Sequence, residues 1–172
     1  MKRWALSLDR PSQHSADEGC GLRSSAIVDG KLCLVLNNTI AAIEDGRRRM
    51  LDFPPVQALV VPVRHRLEVI FEELVSNTIR HGFTKHSNQS IHVSIDPKPE
   101  AIEFTFEDDG EPFNPLEMAA PESFSSIENA RIGGLGIPLI VRLSANLRYE
   151  RPTASRSGAF MPSNRIVVSI AT

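Results

Sequence analysis

Apolar side chains at positions 63, 67, 70, 71, 74, 75 and 79 recur at helical spacing. The spacing predicts a helix over 63–82 with one face buried, ended by Gly82 as a C-cap would end it. A helix with one apolar stripe needs a second layer to cover it. The chain offers one soon afterwards. Two strand-like runs, IHVSID (91–96) and AIEFTFED (101–108), are joined by PKPE and read as an antiparallel hairpin. A long helix laid on a hairpin constrains the fold to a layered α+β arrangement.

The flanking segments extend that frame. Residues 10–30 are rich in Ser, Gly and charge and carry no steady period, so residues 1–30 read as an N-terminal extension, mobile or loosely packed. KLCLVLNN (31–38) reads as the first strand of a compact domain spanning 31–172. TIAAIEDGRRRMLDF (39–53) is helical in pattern, weakened by Gly46, and Pro54 and Pro55 break the chain after it. PLEMAAPESFSSIENARIGG (115–134) begins with a helical signal and loses it as Ser, Asn and Gly accumulate. A long irregular segment of that kind inside a domain often serves as a lid. IPLIVRLSA (137–145) is a short amphipathic helix that tolerates Pro138 in its first turn. NLRYE (146–150) and RIVVSI (165–170) close the sheet around an extended loop. The expected fold is a two-layer α/β sandwich of class α+β, with a mixed, mainly antiparallel sheet and helices on one face.

Composition narrows the function classes. The 172 residues suit one domain, and 19 Lys+Arg against 21 Asp+Glu give a net charge of -2, unlike a basic nucleic-acid binder. Cys20 and Cys33 lack the C-x-x-C spacing of a zinc site and are expected to be free, reduced thiols. The apolar run in MKRWALSLDR is cut by Asp9 and Arg10 below signal-peptide length, and no run approaches the ~20 apolar residues of a membrane span. A cytoplasmic protein with neither a membrane nor a direct nucleic-acid partner is expected.

Three constellations carry chemistry. On the long helix, Glu73, Asn77 and Arg80 fall on one flank of the apolar stripe, with His81 between them and the buried face. Taken alone, this is also what a solvated helix margin looks like. In GGLGIPLI (133–140), Gly133, Gly134 and Gly136 precede a helix, where free N–H groups and the dipole favour an anion; a flexible turn would look the same. FEDDGEPFNP (106–115) ends a strand with three acids, then Gly110, Pro112 and Phe113. A carboxylate held there at a pocket rim accepts hydrogen bonds from an amino group such as that of a purine. A charged turn is the plainer reading.

Together and in this order, FEELVSNTIRHGF, FEDDGEPFNP and GGLGIPLIVRLSANLRYE resemble the nucleotide-binding boxes of the GHKL (Bergerat) ATP-binding fold. More closely, the chain resembles the small anti-sigma factor serine/threonine kinases of bacterial partner-switching systems, over residues 31–172.

The resemblance implies ATP and Mg2+ as cofactors. It makes Asn77 the metal ligand and Glu73 the general base toward the attacking hydroxyl. Arg80 would contact phosphate, and His81 belongs to the same box. Asp108 would accept the adenine amine, and Gly110 would let the base approach the backbone. Gly134, Leu135 and Gly136 would lie near the phosphates at the end of an ATP lid spanning 115–132, with Arg131 as a further phosphate contact. The implied activity is transfer of phosphate to a Ser or Thr of a STAS-domain antagonist, with a sigma factor as a second partner and a homodimer as the assembly. The first 30 residues and the long 151–163 loop depart from the family's pattern. A nucleotide-gated binding module without kinase activity would need Asn77, Asp108 and the glycines but not Glu73. A detached histidine-kinase domain would need a phosphoacceptor helix, which nothing before residue 31 resembles.

Overall fold

The sheet begins earlier than the sequence predicts. β1 (Leu22–Val28) and β2 (Lys31–Asn37) form an antiparallel hairpin. Its turn is Asp29-Gly30, both in the left-handed region with φ of 50° and 79°. Two successive positive φ values match the twist of a tight hairpin, and Asp-Gly supplies them at low cost. The expected boundary at residue 31 therefore falls inside a hairpin. β1 lacked a periodic signal because it is an edge strand exposed along nearly its whole length, so no core selects its apolar positions. A computed structural model describes residues 20–82, 89–118, 136–152 and 162–172.

Next come α1 (Ala41–Leu51), α2 (Pro54–Gln57) and α3 (Val61–Asn77), the last continued by a π turn over Thr78–Gly82. Pro54 and Pro55 break the chain as expected, yet they open the short α2, where a missing N–H costs nothing. β3 (Ser90–Lys98) and β4 (Ala101–Asp108) form the hairpin read from the sequence. After it lie α4 (Pro115–Met118), α5 (Gly136–Leu143), β5 (Asn146–Glu150) and β6 (Asn164–Ala171). Among the described residues the sheet has the order β1-β2-β3-β4-β6-β5, and every neighbouring pair is antiparallel.

One face of this sheet is apolar. Leu32, Leu34 and Leu36 of β2, Ile91, Val93 and Ile95 of β3, and Phe104 and Phe106 of β4 are all buried. The stripe of α3 packs onto them, and Phe71 meets the Phe104 ring edge-on with centroids 6.4 Å apart. Such a pair adds about 1 kcal/mol beyond its area burial. Gly46 explains itself here. A Cβ at that position would lie 2.6 Å from Phe71 Cζ and 3.1 Å from Leu36 Cδ2. The glycine that weakens α1 as an isolated helix is what lets α1 approach α3.

The opposite face is polar and crossed by charge. Arg165 of β6 pairs with Glu107 of β4 and, at 3.2 Å, with Glu150 of β5. Burial of this guanidinium is compensated by two carboxylates, as a buried charge requires.

Candidate functional site

The three consecutive acids have three separate destinations. In β4 successive side chains alternate between faces. Glu107 joins Arg165 on the polar face. Asp109 accepts a hydrogen bond from the Ser90 N–H at 3.3 Å. Asp108 points to the helical side, is 4% exposed, and lines a cavity of about 390 Å3. That volume lies in the range of small-molecule sites.

The cavity sits between the end of α3, the start of α5 and the turn after β4. Asn77 and His81 line it from the α3 side, Gly136 and Ile137 from α5, and Pro112 and Phe113 from the turn. The π turn matters here. Its wider winding shifts the register of α3 at the point where Thr78, His81 and Gly82 reach the cavity, a common use of π geometry.

Asp108 is held tightly. Its Oδ1 accepts from the Gly110 N–H at 2.9 Å and from Asn164 Nδ2 at 2.9 Å. Burial pushes its carboxyl above the usual carboxylate range, and those two donors pull it back part of the way. Both hydrogen bonds that described residues make to this carboxylate fall on Oδ1, so among the described residues Oδ2 has no donor, on a side chain that lines the cavity.

Gly110 lies beneath the site rather than in its lining. A Cβ there would overlap the Gly82 carbonyl, and the Glu111 N–H donates to that carbonyl at 2.8 Å. The glycine thus lets the β4 turn dock on the end of the π turn. Glu73 is also outside the lining, one turn before Asn77. A Cβ on Gly136 would overlap Glu73 Oε2 and lie 3.3 Å from Asn77 Nδ2. The shared flank expected for Glu73 and Asn77 is therefore covered by the first residue of α5. Arg80 is exposed and does not line the cavity. Arg131, Gly134 and Leu135, with most of the expected lid, lie outside the described residues, as does most of the 151–163 loop.

Asn164 is the residue that sequence reasoning missed. It lines the cavity and is 2% exposed. One polar residue before an apolar strand carries little local signal. Only the register, which sets it opposite Asp108, reveals its place.

The family model described as the histidine kinase-like ATPase domain matches residues 43–158. The chain belongs to this family. Its fold is the GHKL ATP-binding type, and ATP binding comes with it. The serine/threonine-protein kinase BtrW of Bordetella bronchiseptica is 25% identical over 89 residues, 52% of this chain and 63% of that protein. The histidine kinase domain of the Erythrobacter litoralis EL346 blue-light activated histidine kinase is 16% identical, with TM-score 0.43, over 65% of this chain and 46% of its own. The chain thus spans less than two thirds of either relative's length. No helix among the described residues is long and apolar enough to cross a membrane.

The donor set fits the nucleotide of such a domain. A buried carboxylate keeps one oxygen for an amine, apolar side chains at Leu74, Ile137 and Phe113 wall the space, and the start of α5 borders it. Among the described residues no group of three or more His, Cys, Asp or Glu could hold a metal by itself. A Mg2+ ion at Asn77 would therefore need phosphate oxygens as its other ligands, the manner in which this ion is commonly held.

Proposed function

We propose that this protein is an ATP-dependent serine/threonine protein kinase of a bacterial partner-switching system. Its substrate would be a STAS-domain antagonist, and a sigma factor or similar regulator its second partner. The observation that carries the nucleotide part is the convergence of Asp108 and Asn77 on one cavity. The limited similarity to BtrW supports Ser/Thr as the acceptor. The STAS partner, the sigma factor and the homodimer rest on the sequence resemblance.

In this reading bound Mg·ATP supplies the phosphoryl group and much of the charge neutralisation. The chain's own residues do the rest. Asp108 orients the base through Oδ2. Phe113 and Ile137 exclude water from it. Asn77 presents an amide oxygen to the metal beside the phosphates. Glu73 takes the proton of the incoming hydroxyl, reaching it past the glycine at 136, and the sequence resemblance assigns Arg131 to phosphate.

A second reading is an ATP-gated protein-binding module without transfer. It is favoured by one observation: the Glu73 carboxylate abuts the first residue of α5 instead of lining the cavity. Purified protein with labelled Mg·ATP and a STAS protein encoded beside it separates the two. Label on a Ser or Thr, lost in Glu73→Ala while ATP binding persists, supports the kinase. ATP-dependent partner binding without label supports the module. Absence of ATP binding overturns both.

A further inference from the structure

We infer that Asn164 is the positioning residue of the purine-reading carboxylate: it fixes one oxygen of Asp108 so that the other is presented, as an acceptor, to the base. This rests on the nucleotide reading given above. Asn164 lies beyond the residues 43–158 that the family model matches.

Asn164 stands directly opposite Asp108 in the β4–β6 pairing. Its Nδ2 donates to Asp108 Oδ1 and to the Glu111 carbonyl, both at 2.9 Å. Its Oδ1 accepts from the Phe113 N–H and from the Tyr149 hydroxyl, both at 2.8 Å. The amide orientation is forced, because a backbone N–H only donates and a carbonyl only accepts. A side-chain amide has four hydrogen-bonding positions, and here the protein fills all four. Although Asn164 borders the cavity, it has nothing left to offer a ligand. Its influence on binding must pass through what it holds.

What it holds is the geometry and the charge state of Asp108. With two donors on Oδ1, from Gly110 and Asn164, the carboxylate cannot rotate without breaking both. The same donors favour the ionised form against the burial that disfavours it. An ionised carboxylate only accepts. It suits a 6-amino purine and rejects a 6-oxo purine, whose oxygen also only accepts. Asn164 further ties the Phe113 wall and, through Tyr149, strand β5 to this one point.

The test uses the full chain with Mg·ATP and Mg·ITP, titrated calorimetrically from pH 5.5 to 8.5. Asn164→Asp keeps the shape but sets an acceptor against Asp108 Oδ1. At pH 7.5 it should weaken ATP binding about tenfold or more and narrow the ATP-over-ITP preference, since Asp108 Oδ1 and the Glu111 carbonyl both lose their donor. Lowering the pH places a proton between the two carboxylates, so this variant should bind ATP better as the pH falls. The wild type should show no such gain, because Asp108 already receives the Asn164 donor. A gain confined to the variant is not what a general loss of stability would give. Tyr149→Phe removes a single hydroxyl and remains informative should the first variant not fold. It should weaken ATP about threefold with the wild-type slope. Wild-type affinity, preference and slope in the variants overturn the inference alone. A wild-type protein that binds no ATP overturns the nucleotide reading and this inference with it.

Discussion

Gly136 leaves the space that the Glu73 carboxylate occupies: a Cβ at the first residue of α5 would overlap Oε2 and lie 3.1 Å from Cδ. The glycine is therefore needed whether or not a phosphate ever approaches it. Gly136→Ala should push Glu73 off its position while leaving Asp108 untouched. If Glu73 is the base, kcat for transfer should fall about a hundredfold, since a displacement near 1 Å can cost that much. ATP affinity should fall by a smaller factor, since the added Cβ lines the cavity and stands 3.3 Å from Asn77 Nδ2. Single-turnover transfer beside equilibrium ATP binding checks the split.

Asp108 sets function against stability. Its folded pKa is raised by burial, above the ordinary value of about 3.9. An acid with a raised folded value contributes its stability below the ordinary value and loses it as the pH rises through the folded value. At pH 7 the ionised side chain therefore destabilises the fold. Asp108→Asn keeps an acceptor for the Gly110 and Asn164 donors and removes the charge. Its melting temperature at pH 7 should rise by about 2–4 °C, the shift that about 1 kcal/mol produces at this chain length. ATP binding should be lost, because an amide N–H then faces the amine. Differential scanning calorimetry with nucleotide titration reads both.

Gly46→Ala should destabilise the protein despite a better helix former. The substitution gains up to about 1 kcal/mol in helix propensity. The new methyl would stand 2.6 Å from Phe71 Cζ in a fully buried contact, and overpacking costs about 1–3 kcal/mol. A net loss of about 1 kcal/mol is expected, seen as a lower urea midpoint with an unchanged m-value.

His92 gives the opposite pH dependence to Asp108. Burial holds its imidazole below the ordinary value of about 6.5, with Glu107 and Asp109 opposing that effect. A base with a lowered folded pKa contributes stability above the ordinary value and loses it as the pH falls toward the folded value. Stability should decline as the pH falls below about 6.5, and His92→Gln should flatten that decline. Urea unfolding at a series of pH values checks it.

Local periodicity made the α3 stripe, the β3–β4 hairpin and β6 legible, because each buries one face against a common core. The family resemblance, not periodicity, pointed to Asn77, Asp108 and Gly136 as nucleotide residues, and all three line one cavity. β1 escaped because it buries little, although Asp29-Gly30 was the local signal that could have found it. The role of Gly46 was hidden because helix propensity is a property of one segment, whereas the contact with Phe71 joins two. Asn164 was invisible for the same reason: its four partners lie on two distant stretches of chain, residues 108–113 and β5.

Asp108 and Asn164 face each other on one side of the sheet, and their immediate neighbours Glu107 and Arg165 face each other on the other. A slip of one residue between these strands would exchange the two pairs, turning the guanidinium toward the cavity and the amide to the opposite face. Insertions between β5 and β6 leave this alignment intact. Loss of a single residue within β6 would not. In descendants of this chain, length should drift freely in the connecting segment and stay frozen in the final strand.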